Sequence, residues 1–173
     1  MHTFFPKEVI TDTILGPAGL LEVKTSWTTG LDRPTVAIIC HPHPLHGGTM
    51  NNKVVTTLYK AFDHLGCPTV RFNYRGVGGS EGAYGAMTGE LADLKAVLAW
   101  VRSVLPDHAI CLAGFSFGAF ISAACANGDQ DVIELVSIAP AVKHADFLSL
   151  TRIQCHWLVI HGDAEEVGHI DAT

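Results

Sequence analysis

The stretch AICLAGFSFGAFISAACAN, residues 109–127, decides the fold. It opens as a short β-rich run, AICLAG, and continues after a serine as FGAFISAACAN, a helical run with Gly128 as its C-cap. No Asp, Glu, Lys or Arg falls between Asp107 and Asp129, so the length alone would also allow a membrane span. Its flanks are acidic rather than basic, its start is β-like, and Gly114 and Gly118 stand around Ser116. These features favour a buried strand turning sharply into a buried helix, since both elements of an α/β core are apolar on nearly every side.

Outward from this unit the same alternation repeats. TVAIIC (residues 35–40) predicts a strand, residues 52–64 a helix ended by Gly66, and PTVRFNY (68–74) a strand. Residues 88–105 form a helical run stopped by Pro106, and ELVSIAP (134–140) and HWLVIHG (156–162) read as further strands. Ahead of them, KEVITDTIL (7–15) and GLLEVKTSW (19–27) flank Gly16-Pro17-Ala18-Gly19 and predict an antiparallel hairpin. Strands alternating with helices imply a mostly parallel sheet covered on both faces, with function at the carboxyl ends of its strands. A length of 173 residues suits one domain, 1–173.

Composition removes several function classes. With 48% hydrophobic and 16% charged residues the chain is too apolar for disorder. Eleven Lys and Arg against 17 Asp and Glu, scattered, leave no electrostatic footprint for nucleic acid. Five cysteines without C-x-x-C spacing suggest a reducing compartment, and the opening MHTFFPKEVI has no basic region followed by an apolar stretch, so a cytoplasmic location is expected.

Three segments carry chemistry. In G-F-S-F-G, residues 114–118, a strand meets a helix at a turn so sharp that glycines are needed two residues either side of Ser116, the pattern of a nucleophile elbow. Ser116 would then stand at the positive end of the helix, where developing negative charge is stabilised. An oxyanion hole needs two N–H donors, one from Phe117 after the serine and one from the loop after TVAIIC. In that loop, HPHPLHGGTM (41–50), Pro42 and Pro44 cannot donate, which leaves His43 as the favoured second donor, with Leu45 and His46 behind it. His41, His43 and His46 also have the spacing H-x-H-x-x-H of metal ligands, but no acidic residue is interleaved and proline-locked loops do not easily converge three rings, so no metal is expected. RGVGGSEG (75–82) lacks the spacing of a nucleotide-binding glycine loop and predicts a turn beside the serine, with Arg75 tying down carbonyls or carboxylates.

The order HPHPLHGGTMNNKVV, RFNYRGVGGSEG, LAGFSFGAF and a strand ending in HGD resembles the small, lidless bacterial α/β-hydrolases related to dienelactone hydrolase and the prolyl-oligopeptidase-like serine hydrolases. The likeness covers nearly the whole chain. It implies an α/β-hydrolase fold, Ser116 as nucleophile, and Phe117 with the HPHP loop as the oxyanion hole. The family's triad acid stands three residues after the Gly of its G-D-x-D motif; counted from Gly162 that position is Glu165, with Asp163 in the G-D pair. The family's histidine comes later, after a further helix and strand, which need roughly 25–30 residues. Eight follow Glu165, and among them His169 is the one histidine; His144, His156 and His161 precede the acid. The chain is therefore expected to be C-terminally incomplete, lacking the last strand and helix.

The resulting expectation is a serine hydrolase that cleaves a small carboxylic ester, thioester or amide, without a cofactor, at an open site. The alternative is an α/β-hydrolase-fold binding protein without turnover, for want of the general-base histidine. The expected partner is a small-molecule substrate, with no nucleic acid and no membrane; a homo-oligomer through an exposed terminal strand is the further expectation.

Overall fold

The computed structural model describes residues 5, 9–28, 33–143 and 145–162. Strands β1 (Ile10–Gly16) and β2 (Gly19–Ser26) form the hairpin expected around Pro17 and Ala18, with Gly16 opposite Gly19. There follow β3 (Thr35–Cys40), α1 (Lys53–His64), β4 (Thr69–Phe72), α2 (Thr88–Val104), β5 (Ala109–Phe115), α3 (Phe117–Ala126), β6 (Val132–Ile138) and β7 (His156–Ile160). The sheet runs β1-β2-β4-β3-β5-β6-β7, antiparallel from β1 to β4 and parallel from β4 to β7.

Alternation along each strand divides the core between two faces. Val36, Ile38 and Cys40 of β3 point to the larger cluster with Val70, Phe72, Leu94, Val97 and Ile121, under α2 and α3. Ile39 points the other way and meets Val55 and Tyr59 of α1 together with Ala113 of β5. Ile38 is fully buried, so Ile38→Ala would cost about 2–5 kcal/mol through lost transfer energy and the cavity left behind.

The uncharged segment divides as its glycines predict, into seven residues of strand and ten of helix, joined at Ser116. Among the described residues no helix is long and apolar enough to cross a membrane. Asn52 caps α1, its side chain accepting from the Val54 N–H at 2.9 Å. Gly128 follows the α3 cap Asn127 at φ +87°, a left-handed conformation that costs glycine little.

Two elements differ from the sequence reading. β4 stops at Phe72 because Asn73 and Tyr74 turn to other partners: Asn73 Oδ1 accepts from the Met50 N–H at 2.8 Å, and the Tyr74 N–H donates to His41 Nε2 at 3.2 Å. Between β6 and β7, read as successive strands, the connection holds a 3-10 turn, Phe147–Ser149, that the sequence reading did not specify. β7, last in the strand order, is exposed along its whole length.

Candidate active site

Ser116 lies between the end of β5 and the first turn of α3, at φ +54° and ψ −113°. A non-glycine residue there is strained by about 1–3 kcal/mol and persists only where its surroundings over-determine it. The constraints are visible: the Ser116 N–H donates to the Ile138 carbonyl of β6 at 2.9 Å, and the Ser116 carbonyl accepts from the Ala119 N–H at 3.1 Å. A Cβ on Gly114 would stand 2.2 Å from the Gly118 carbonyl oxygen. One on Gly118 would stand 2.4 Å from the Cys40 carbonyl oxygen and 2.6 Å from that of His41. The two glycines thus let the strand, the helix and the end of β3 close on one another.

The loop after β3 sits against this corner. His41 is fully buried, and because its Nε2 accepts from the Tyr74 N–H, its Nδ1 carries the proton and donates to the Pro42 carbonyl at 2.7 Å. Burial pulls its pKa down to about 4, so it is neutral and acts as a strut between two loops. His43 stands at φ −54°, and its carbonyl accepts from the N–H groups of His46 and Gly48, both at 3.0 Å. Its Nδ1 accepts from the Leu45 N–H at 3.2 Å, so its Nε2 carries the proton toward the Tyr84 hydroxyl at 3.3 Å. Burial and then the neighbouring His46 lower its pKa. The ring stacks on His46 with centroids 4.5 Å apart and leans on Phe117 at 4.7 Å. Neither the His43 N–H nor the Phe117 N–H donates to another described residue. The first N–H groups of a helix have no intrahelical acceptor, which accounts for that of Phe117 at the start of α3.

The three histidines are not brought together. His41 lies inside with both ring nitrogens engaged, while His43 and His46 face the surface, and among the described residues no group of three or more His, Cys, Asp or Glu could hold a metal.

The glycine-rich turn packs where the sequence places it. Arg75 grips Asp93 of α2 with two nitrogens, Nη2 at 2.7 Å and Nε at 3.0 and 3.1 Å, and these bonds raise the Arg75 pKa. Asp93 also accepts from the Arg75 N–H at 2.9 Å. Buried Glu90 accepts from the N–H groups of Gly85 and Met87, both at 2.8 Å. The sequence reading missed both carboxylates. They lie on the stripe of α2 that also buries Leu94, Val97, Leu98 and Val101, and acids at core-facing helix positions are a signal of internal anchoring.

A pocket of about 250 Å³ opens at Ser116 and Phe117, walled by His43 and His46, Met87, Phe120, and Ala141 and Ala145 of the β6–β7 connection. His161 follows β7 on the surface, and His156 is exposed within it. His144, Asp163, Glu165 and His169 lie outside the described residues.

With this geometry, the profile of the family Hydrolase_4, serine aminopeptidase, S33, matches residues 43–161. The chain belongs to the serine aminopeptidase S33 family. This hydrolase is similar to an α/β serine hydrolase homologue from Coxiella burnetii, with 55% identity and a TM-score of 0.88 over 91% of this chain and 76% of that one. It is similar to an α/β serine hydrolase without a lid from Xanthomonas campestris, with 42% identity and a TM-score of 0.87 over 95% and 75%. An uncharacterized protein of Rickettsia prowazekii (strain Madrid E) is 34% identical over 90% of this hydrolase and 67% of its own length.

Proposed function

We propose that this hydrolase cleaves a small carboxylic ester, thioester or amide through an acyl-enzyme on Ser116, without a cofactor. The observation that supports the reading is a strained serine in the wall of one pocket together with Phe117 and His43, whose N–H groups no other described residue engages. The turn at Ser116 serves as the nucleophile elbow. The serine oxygen attacks the carbonyl carbon, its proton passes to a general base, and the carbonyl oxygen takes up negative charge between the two N–H groups. Collapse expels the alcohol, thiol or amine with that proton and leaves Ser116 acylated. Water then attacks the acyl carbon, and a carboxylic acid departs as Ser116 is restored.

The resemblance assigns Glu165 to orienting the base, Asp163 belongs to the G-D pair of the same motif, and His169 is the histidine downstream in sequence. Among the described residues no side chain hydrogen-bonds the Ser116 hydroxyl. That favours, as the second reading, a fold that binds the same small ligand without turnover. Incubation with p-nitrophenyl acetate and intact-mass measurement separates them. The first reading expects p-nitrophenol release and a transient acetyl adduct, both lost in Ser116→Ala; the second expects neither.

A further inference from the structure

Two successive non-glycine residues before α2 adopt left-handed conformations, Ala86 at φ +51° and Met87 at φ +74°, ψ −42°. The Met87 geometry is close to that of the rare, strained γ-turn. It is held by Glu90, a fully buried acid whose two oxygens take the N–H groups of Gly85 and Met87. Beside it Arg75 is clamped to Asp93, so the turn is fastened from both sides. What this arrangement delivers is the Met87 side chain into the wall of the Ser116 pocket. Glycine, which adopts such angles freely, would have satisfied the backbone alone.

We propose that Met87 is the specificity-determining residue that limits the acyl chain accepted at Ser116 to a few uncharged carbons; the proposal rests on the hydrolase reading above. Among the described residues the pocket has no Asp, Glu, Lys or Arg on its walls, and its volume of about 250 Å³ lies below the roughly 300–1,000 Å³ of sites for drug-sized ligands. Ala141 and Ala145 are small, and His43, His46 and Phe117 belong to the loop and helix start beside the serine, which leaves Met87 and Phe120 as the further walls with length to give or take. The acyl half of the substrate stays bonded to Ser116, which lines this pocket, so its chain is the half that the pocket walls bound. Methionine, unbranched and adaptable, closes the end of such a pocket without fixing one ligand shape.

The test compares wild type, Met87→Gly and Met87→Phe with p-nitrophenyl acetate, butyrate and hexanoate. Met87→Gly suits the observed φ and guards against a variant that fails to fold. A methylene in an apolar pocket is worth about 10–200-fold in discrimination. The kcat/KM ratio of hexanoate to acetate is therefore expected to rise about 10-fold or more in Met87→Gly and to fall in Met87→Phe. A ratio within twofold of wild type in both folded variants overturns the proposal. Equilibrium binding of the same esters is measured in a Ser116→Ala background, where turnover plays no part. Chain-length preference that moves with residue 87 in binding, with no turnover in wild type, keeps the pocket and sinks the hydrolase reading. Binding that is absent, or blind to residue 87, sinks the pocket proposal whatever Ser116 does.

Discussion

Replacing Gly118 by alanine should damage this protein twice, in stability and at Ser116. The added Cβ would lie 2.4 Å from the Cys40 carbonyl oxygen and 2.6 Å from that of His41, backbone atoms at the end of a central strand that cannot swing aside. Relief requires α3 to retreat from β3. Overpacking of this kind typically costs about 1–3 kcal/mol, which for a domain of this size lowers Tm by about 2–12 °C. The same retreat parts Phe117 on α3 from His43 on the β3 loop, whose ring centroids lie 4.7 Å apart, and so would disturb the proposed pair of oxyanion donors. Loss of one such donor costs about 10²–10³ in rate. Gly47→Ala is the control: its Cβ meets nothing within 4 Å, but φ is +77°, so it pays only conformational strain, about 1–2 kcal/mol, and leaves the serine alone. Thermal unfolding by circular dichroism and the rate of fluorophosphonate labelling measure both effects. A Gly118→Ala protein that melts within 1 °C of wild type and labels at the wild-type rate would refute the close approach on which the site is built.

Further outcomes follow from the same geometry. His43→Ala should slow labelling far less than the roughly 10²–10³-fold expected for a lost oxyanion donor, since alanine keeps the backbone N–H; a loss in that range without unfolding would make the side chain the active group. His41, held neutral when folded, has a folded pKa of about 4 against 6.5 unfolded, so stability should be complete above pH 6.5 and decline as pH falls toward 4. The decline attributable to His41 is roughly 3 kcal/mol, and urea titrations should show it flattened in His41→Asn. β7 exposes Leu158, Val159 and Ile160 about equally on both faces, and sedimentation velocity should show concentration-dependent self-association that Val159→Lys reduces; a monomer at all concentrations would count against an association edge there.

Much of the fold was legible because its strands and helices are bounded by their own chemistry. β3 and β5 are uninterrupted apolar runs that suit burial on both faces, Asn52 caps one helix, and Pro106 stands just beyond the end of another. The glycines around Ser116 were readable as a close approach because no other residue tolerates one. What was not legible depends on partners distant in sequence. β4 ends early because Asn73 is drawn to Met50 and Tyr74 to His41, 23 and 33 residues away. Glu90 and Asp93 stand on the core-facing stripe of α2, but the N–H groups they accept from lie in the loop and turn before the helix and are not marked in the sequence. His41, one of three similar histidines in its loop, is set apart only by burial.

Whether Ser116 carries the nucleophilic oxygen is decided by covalent mapping. The protein is treated with a fluorophosphonate, digested, and the modified peptide sequenced by mass spectrometry, with Ser116→Ala treated in parallel. One adduct is expected, on Ser116, and none on the variant. An unmodified Ser116 peptide after prolonged treatment, or equal labelling of Ser116→Ala, would contradict it.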